Sequence, residues 1–180
     1  MAFNAARYGE TIEKILALDG GGNRAMPLVC EPCAPERAKL AMAGKNGGEL
    51  FPAAFAPEAA LSGLWLYFSC FDECHGICQD LPTAEGSYWH AILHRREPDA
   101  GNASYWFHRV GRHAIYPDLA RRAGELGFAA GGGAWDPFAF VTFCENARLR
   151  GEETPEHQKA RAVQLAEWQL LFDYCARPRG

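Results

Sequence analysis

Two dipeptides constrain the fold of this chain more than anything else in it: Asp136-Pro137 and Thr154-Pro155. Each sets a side chain that can accept from free backbone N–H groups directly before a proline, whose fixed φ and missing N–H suit the first helical turn. A helix is expected to start at both. After Pro155, Leu165, Trp168, Phe172 and Cys175 recur at spacings of three and four up to about Ala176, while Glu156, Lys159, Arg161 and Glu167 fall where a helix can face water. No stretch alternates apolar and polar residues with period two between turn signals, so strands are not expected.

The same signals divide the rest of the chain. A short helix within residues 4 to 18 carries Ile12, Ile15 and Leu16 on one face and must break at Asp19-Gly20-Gly21-Gly22-Asn23. Prolines 27, 32, 35 and 52 and glycines 44, 47 and 48 leave residues 19 to 56 loop-rich, with room for one helix near 35 to 43. Residues 57 to 79 read as one helix apolar on most sides, hence buried. Thr83 and Pro98 bound a helix over 84 to 97. Asp99 or Asn102 caps another near 102 to 110, and Pro117 to Leu126 forms a further one before Gly127. The expected architecture is an all-α, single-domain bundle spanning residues 1 to 180, with about six or seven helices and a loop-rich N-terminal third packed on it.

Composition excludes some function classes. A net charge of -4 and a pI near 5.9 provide no global attraction to nucleic acid or anionic lipid. The opening residues lack a basic stretch followed by an apolar run, and the apolar run from Ala59 to Phe71 is shorter than the roughly 20 residues a membrane-spanning helix needs. The chain therefore reads as soluble and cytoplasmic, without nucleic-acid or membrane partners. Its seven cysteines are expected to be mostly reduced. Cys70, Cys74 and Cys78 repeat every four residues on one apolar helix face and read as buried thiols without disulfide partners. Cys30-Glu31-Pro32-Cys33 has the spacing of a redox pair or half a zinc site, but neither a βαβ context nor a second C-x-x-C accompanies it.

Candidate chemistry concentrates between Trp89 and Tyr116, which hold four of the six histidines and four of the fourteen arginines. On a helix, His90, His94 and Glu97 fall within roughly 60° of one another at about 100° per residue. They could ligate a divalent metal such as zinc, with His75, His108 or His113 completing the set from elsewhere. Three protein ligands and an open position suit hydrolysis or lyase chemistry. The stronger H-E-x-x-H pattern is absent, and the same histidines could be core residues bonded to backbone or carboxylates. Arg95, Arg96, Arg109 and Arg112, beside Tyr105 and Trp106, form a second candidate: a site recognising a carboxylate or phosphate by forked hydrogen bonds and ring stacking. Against it stands an ordinary arrangement of surface arginines near helix C-termini. The expected function is a metal-assisted small-molecule enzyme centred on residues 90 to 113. The alternative is a non-enzymatic module binding an anionic small molecule or partner through the arginines.

Two resemblances bear on this. Leu16-Ala17-Leu18-Asp19-Gly20-Gly21-Gly22-Asn23-Arg24 resembles the oxyanion-hole segment of patatin-like lipases, but no serine here has the G-x-S-x-G flanks of their nucleophile, and Ala25 replaces the glycine that usually follows the arginine. The block His94-Arg95-Arg96-Glu97-Pro98-Asp99, with Asn102, Tyr105-Trp106, Arg109-Val110-Gly111 and His113, resembles one found in a family of uncharacterised bacterial and fungal proteins. It covers about twenty residues. That resemblance implies where to look and no substrate.

Overall fold

A computed structural model describes residues 3–31 and 36–178. Its described elements are helical throughout: α1 (Glu10–Ala17), α2 (Glu36–Met42), α3 (Gly47–Leu50), α4 (Pro57–Tyr67), α5 (Phe71–Cys78), α6 (Ala84–Arg96), α7 (Ala100–Val110), α8 (Tyr116–Glu125), α9 (Pro137–Arg150) and α10 (Pro155–Ala176). Two short 3-10 turns, Ala5–Tyr8 and Gly20–Gly22, flank α1. The all-α class stands. Ten α-helices exceed the expected six or seven, for two reasons. The N-terminal third is more ordered than its prolines and glycines suggest, because Asn46 and Glu49 close a reciprocal capping box that starts α3. The apolar run over 57 to 79 is also two helices rather than one.

The break in that run lies at Phe68–Cys70, where Ser69 adopts φ 59°. Its cause is tertiary. The Arg96 guanidinium, fully buried on α6, donates to Ser69 Oγ at 3.0 Å and to the Leu66 carbonyl at 2.8 Å, which also accepts from the Ser69 N–H at 3.1 Å, so the turn is pinned from a neighbouring helix. The turn lets α5 fold back beside α4 and α6, both of which it contacts.

Helix α4 lies at the centre, against α3, α5, α6 and α10. All its residues from Ala59 to Tyr67 are buried. Close approach needs Gly63, where an added Cβ would stand 2.5 Å from the indole of Trp89. The Gly63 carbonyl also accepts from Trp168 Nε1 at 2.8 Å, fastening α4 to α10. On α10, Glu167 faces the core, not water as the charge pattern suggested, and is fully buried. Arg95 of α6 pairs with it at 2.5 Å and Tyr88 donates to it at 3.0 Å. This polar bridge ties α6 to α10 through the interior.

The glycine turn is a clasp. Tyr67 donates to the Asp19 carbonyl at 2.5 Å, and Arg24 returns its backbone N–H to the Tyr67 hydroxyl and its guanidinium to the Tyr67 carbonyl. Asp19 and Arg24 form an ion pair across the turn. The segment that resembles an oxyanion hole is thus used to hold the chain start against α4. No described helix is long and apolar enough to cross a membrane.

Candidate metal centre

Helix α6 carries the site, and its start is set locally: Thr83 accepts from the Gly86 N–H at 3.1 Å. Every residue from Glu85 to Arg96 is buried, so histidines placed at positions 90 and 94 necessarily enter the interior, one turn apart. The rings of His90 and His94 stack at 4.7 Å, and the Trp106 indole of α7 covers the other face of His90 at 3.9 Å. His75, half-buried on α5, meets His90 edge-on at 4.6 Å and His94 at 5.7 Å. Each of the three histidines offers a ring nitrogen within 4.8 Å of the other two.

Hydrogen bonds fix the orientation of His94. Its Nδ1 lies 2.8 Å from Glu97 Oε2, and Asn102 Nδ2 lies 3.0 Å from its Nε2. An amide NH2 can only donate, which leaves Nε2 as acceptor and puts the ring proton on Nδ1, facing the carboxylate. Asp99 holds Asn102 in place by capping α7, its Oδ1 accepting from the Asn102 N–H at 3.0 Å. His90 is different: its Nδ1 is buried and has no hydrogen-bond partner among the described residues. Burial, reinforced by His94 and His75, lowers the His90 pKa to about 3. Burial also lowers that of His94, against the pull of Glu97. Both imidazoles are therefore neutral near pH 7, the form that ligates metal.

Of His90, His94 and Glu97, nominated together as ligands, two fall in this cluster. His90 and His94 come together with His75, whereas Glu97, the residue that ends α6, points back onto His94. A carboxylate behind a ligating imidazole orients it and raises its basicity. His108 and His113 lie elsewhere. His108 is exposed and packs on Phe138 at 4.5 Å. His113 packs edge-on against Tyr88 at 5.2 Å, with Glu85 3.9 Å from its Nε2.

The arginine site does not assemble as expected. Arg95 is engaged by Glu167 and Gln164 and lies over the Phe140 ring at 4.6 Å. Arg96 is turned onto the Pro27 and Leu66 carbonyls and Ser69, over the ring of Phe71. No carboxylate pairs with it among the described residues, and burial lowers its pKa to about 9. Both guanidiniums are buried in the structure's own network and are closed to a ligand arriving from solvent. Arg109 lies over Trp106 at 5.2 Å, Tyr105 is exposed, and Arg112 lines a separate cavity beside Tyr116 and Trp135.

The cysteine expectation holds in part. Cys74 and Cys78 are buried thiols, and a hydrogen bond with Cys74, then burial, push the Cys78 thiol above its ordinary value. Cys70, in contrast, is disulfide-bonded. Cys30 is an exposed thiol, while Cys33 lies outside the described residues.

No protein-family model, curated protein or solved structure matches the chain. A functional reading rests on the site's geometry.

Proposed function

We propose that His75, His90 and His94 bind a divalent metal such as zinc, and that the chain is a metal-assisted enzyme acting on a small molecule by hydrolysis or elimination. One observation carries this reading: three imidazole nitrogens from two helices lie within 4.8 Å of one another. In a tetrahedral zinc site with Zn–N distances of about 2.0–2.1 Å, ligand nitrogens stand roughly 3.3 Å apart. The set needs to close by no more than about 1.5 Å, within reach of small side-chain rotations. Three imidazoles suit zinc and its first-row neighbours, and a site with three protein ligands keeps a position open. A metal held there acidifies water and polarises carbonyl groups.

The surrounding residues have matching roles. Glu97 holds the proton on His94 Nδ1 and so keeps Nε2 the ligating atom. The Asn102 amide, now on Nε2, moves aside on loading and can then donate to an oxygen of the substrate. Trp106 and the buried face of His90 exclude water on one side, so a substrate enters beside His75, the one histidine of the three that is part-exposed.

A structural reading competes, and the bond between His94 and Glu97 favours it, because core histidines commonly satisfy a ring nitrogen with a carboxylate. Elemental analysis of untagged protein after zinc loading separates them. The metal reading expects about one zinc per chain in the wild type and far less in His75→Ala, which alters the least buried ligand. Sub-stoichiometric zinc in a folded wild type overturns it. Full zinc loading with no turnover across small esters, amides and hydroxy acids removes the enzymatic part.

A further inference from the structure

The sequence places its arginine cluster between residues 95 and 112, but the structure builds an arginine-lined cavity in a different place. A cavity of about 460 Å³ lies between the N-terminal turn, α8 and the last turns of α10. Small-molecule sites fall in the range of about 300–1,000 Å³. Arg7, Arg121, Arg122 and Arg177 line it with two carboxylates, Asp118 and Asp173, and Glu125, outside the lining, bonds Arg121 at 2.9 Å, so the cluster retains one positive charge in a chain whose net charge is -4.

These arginines are held in place. Asp173 receives Arg7 Nη1 at 3.3 Å on one oxygen and Arg177 Nη1 at 3.4 Å on the other, and Tyr8 donates to it at 2.9 Å. Arg122 donates through Nη2 to Gln169 Oε1 at 3.0 Å. That oxygen cannot turn away, because the buried Gln169 directs its NH2 to the Gly22 carbonyl at 2.9 Å and to Asn23. Arg122 has no carboxylate partner among the described residues. Each of these guanidiniums has five N–H donors, and these contacts occupy few of them. Phe3, Ile115 and Leu170 supply an apolar part of the wall.

We propose that this cavity binds a phosphate monoester with a small apolar or aromatic body. The donors decide the class. The four guanidiniums retain N–H groups that their carboxylates and Gln169 do not use, and a phosphate monoester, with three terminal oxygens and about −1.5 to −2 charge at pH 7, takes up more of them than a monocarboxylate does. Guanidinium forks fit its three terminal oxygens, and arginines fixed before binding lose less entropy on binding. The apolar wall takes the organic part. This site shares no residue with the histidine cluster and does not depend on a metal there.

Isothermal titration with phenyl phosphate tests it, with inorganic phosphate and phenylacetate as comparisons. Phenyl phosphate is expected to bind more tightly than either, and to weaken as salt rises. Arg122→Gln and, separately, the more exposed Arg177→Gln should each weaken it at least tenfold, while Arg109→Gln, outside the cavity, leaves it unchanged. Circular dichroism confirms that each variant is folded. No binding of phenyl phosphate at millimolar concentration, equal binding of inorganic phosphate, or equal weakening in Arg109→Gln overturns the proposal.

Discussion

Replacing Glu167 by alanine should destabilise the protein far more than any surface change, and the size follows from what the carboxylate holds. The Arg95 and Glu167 side chains are 1% and 0% exposed, so neither group can turn to water when the other is removed. Leaving a buried charge without its partner costs about 3–5 kcal/mol. The same substitution orphans the Tyr88 hydroxyl, which donates to Glu167 Oε1, and an unsatisfied buried donor costs about 1–3 kcal/mol. These losses share one partner and do not simply add, but about 4 kcal/mol or more is expected. That is a large share of the 5–15 kcal/mol that ordinary domains possess. Urea unfolding with linear extrapolation measures it. The triple variant Tyr88→Phe/Arg95→Met/Glu167→Leu removes the ion pair and the tyrosine hydroxyl together, leaving only Gln164 Oε1 without its Arg95 donor, and should recover most of the loss, because an apolar replacement of a buried pair is often neutral. A cost below about 1 kcal/mol for Glu167→Ala, or a triple variant no more stable than the single one, refutes the reasoning.

Two further outcomes follow from the packing. Between pH 6.5 and about 3 the unfolded chain protonates His90 while the folded one does not, so stability should fall as pH drops through that window, at no more than about 1.4 kcal/mol per pH unit. Urea midpoints at pH 7 and 4.5 should draw together in His90→Phe, which keeps the stack on Trp106 and cannot titrate; an identical decline in both proteins contradicts this. Gly63→Ala drives a methyl group into the Trp89 indole and should cost about 1–3 kcal/mol, seen as a melting temperature several degrees lower; an unchanged melting point contradicts the close contact of α4 with α6.

What could be read in the sequence was local. Thr83, Asp99, Asp136 and Thr154 each cap the helix expected after them, because a cap depends on residues within one turn. The facing of His90 and His94 was legible for the same reason. Tertiary bonds were not. The helix break at Ser69 depends on an arginine 27 positions away, and a continuous apolar run carries no mark of it. That break also sets where His75 lies, so the third histidine could be nominated but not selected over His108 and His113. Arg95 and Arg96 misled because charge usually marks surface. A guanidinium can be buried where carbonyls, a hydroxyl or a carboxylate meet it, as at Arg96, or as at Arg95, whose Nη2 meets Glu167 while its Nε and Nη1 find no partner among the described residues, and only the folded chain brings those partners together. The capping box of Asn46 and Glu49 was a legible signal, masked by the surrounding glycines and prolines.

The metal reading is tested most directly by X-ray absorption at the zinc edge on the zinc-loaded, untagged protein. One zinc per chain is expected, with a first shell of three imidazole nitrogens at about 2.0–2.1 Å and one light atom. His75→Ala should remove one imidazole from that shell or abolish loading. A shell containing sulfur at about 2.3 Å would place the metal on cysteine, and a folded protein that takes up no stoichiometric zinc would leave the three histidines as packing. Either result contradicts the account.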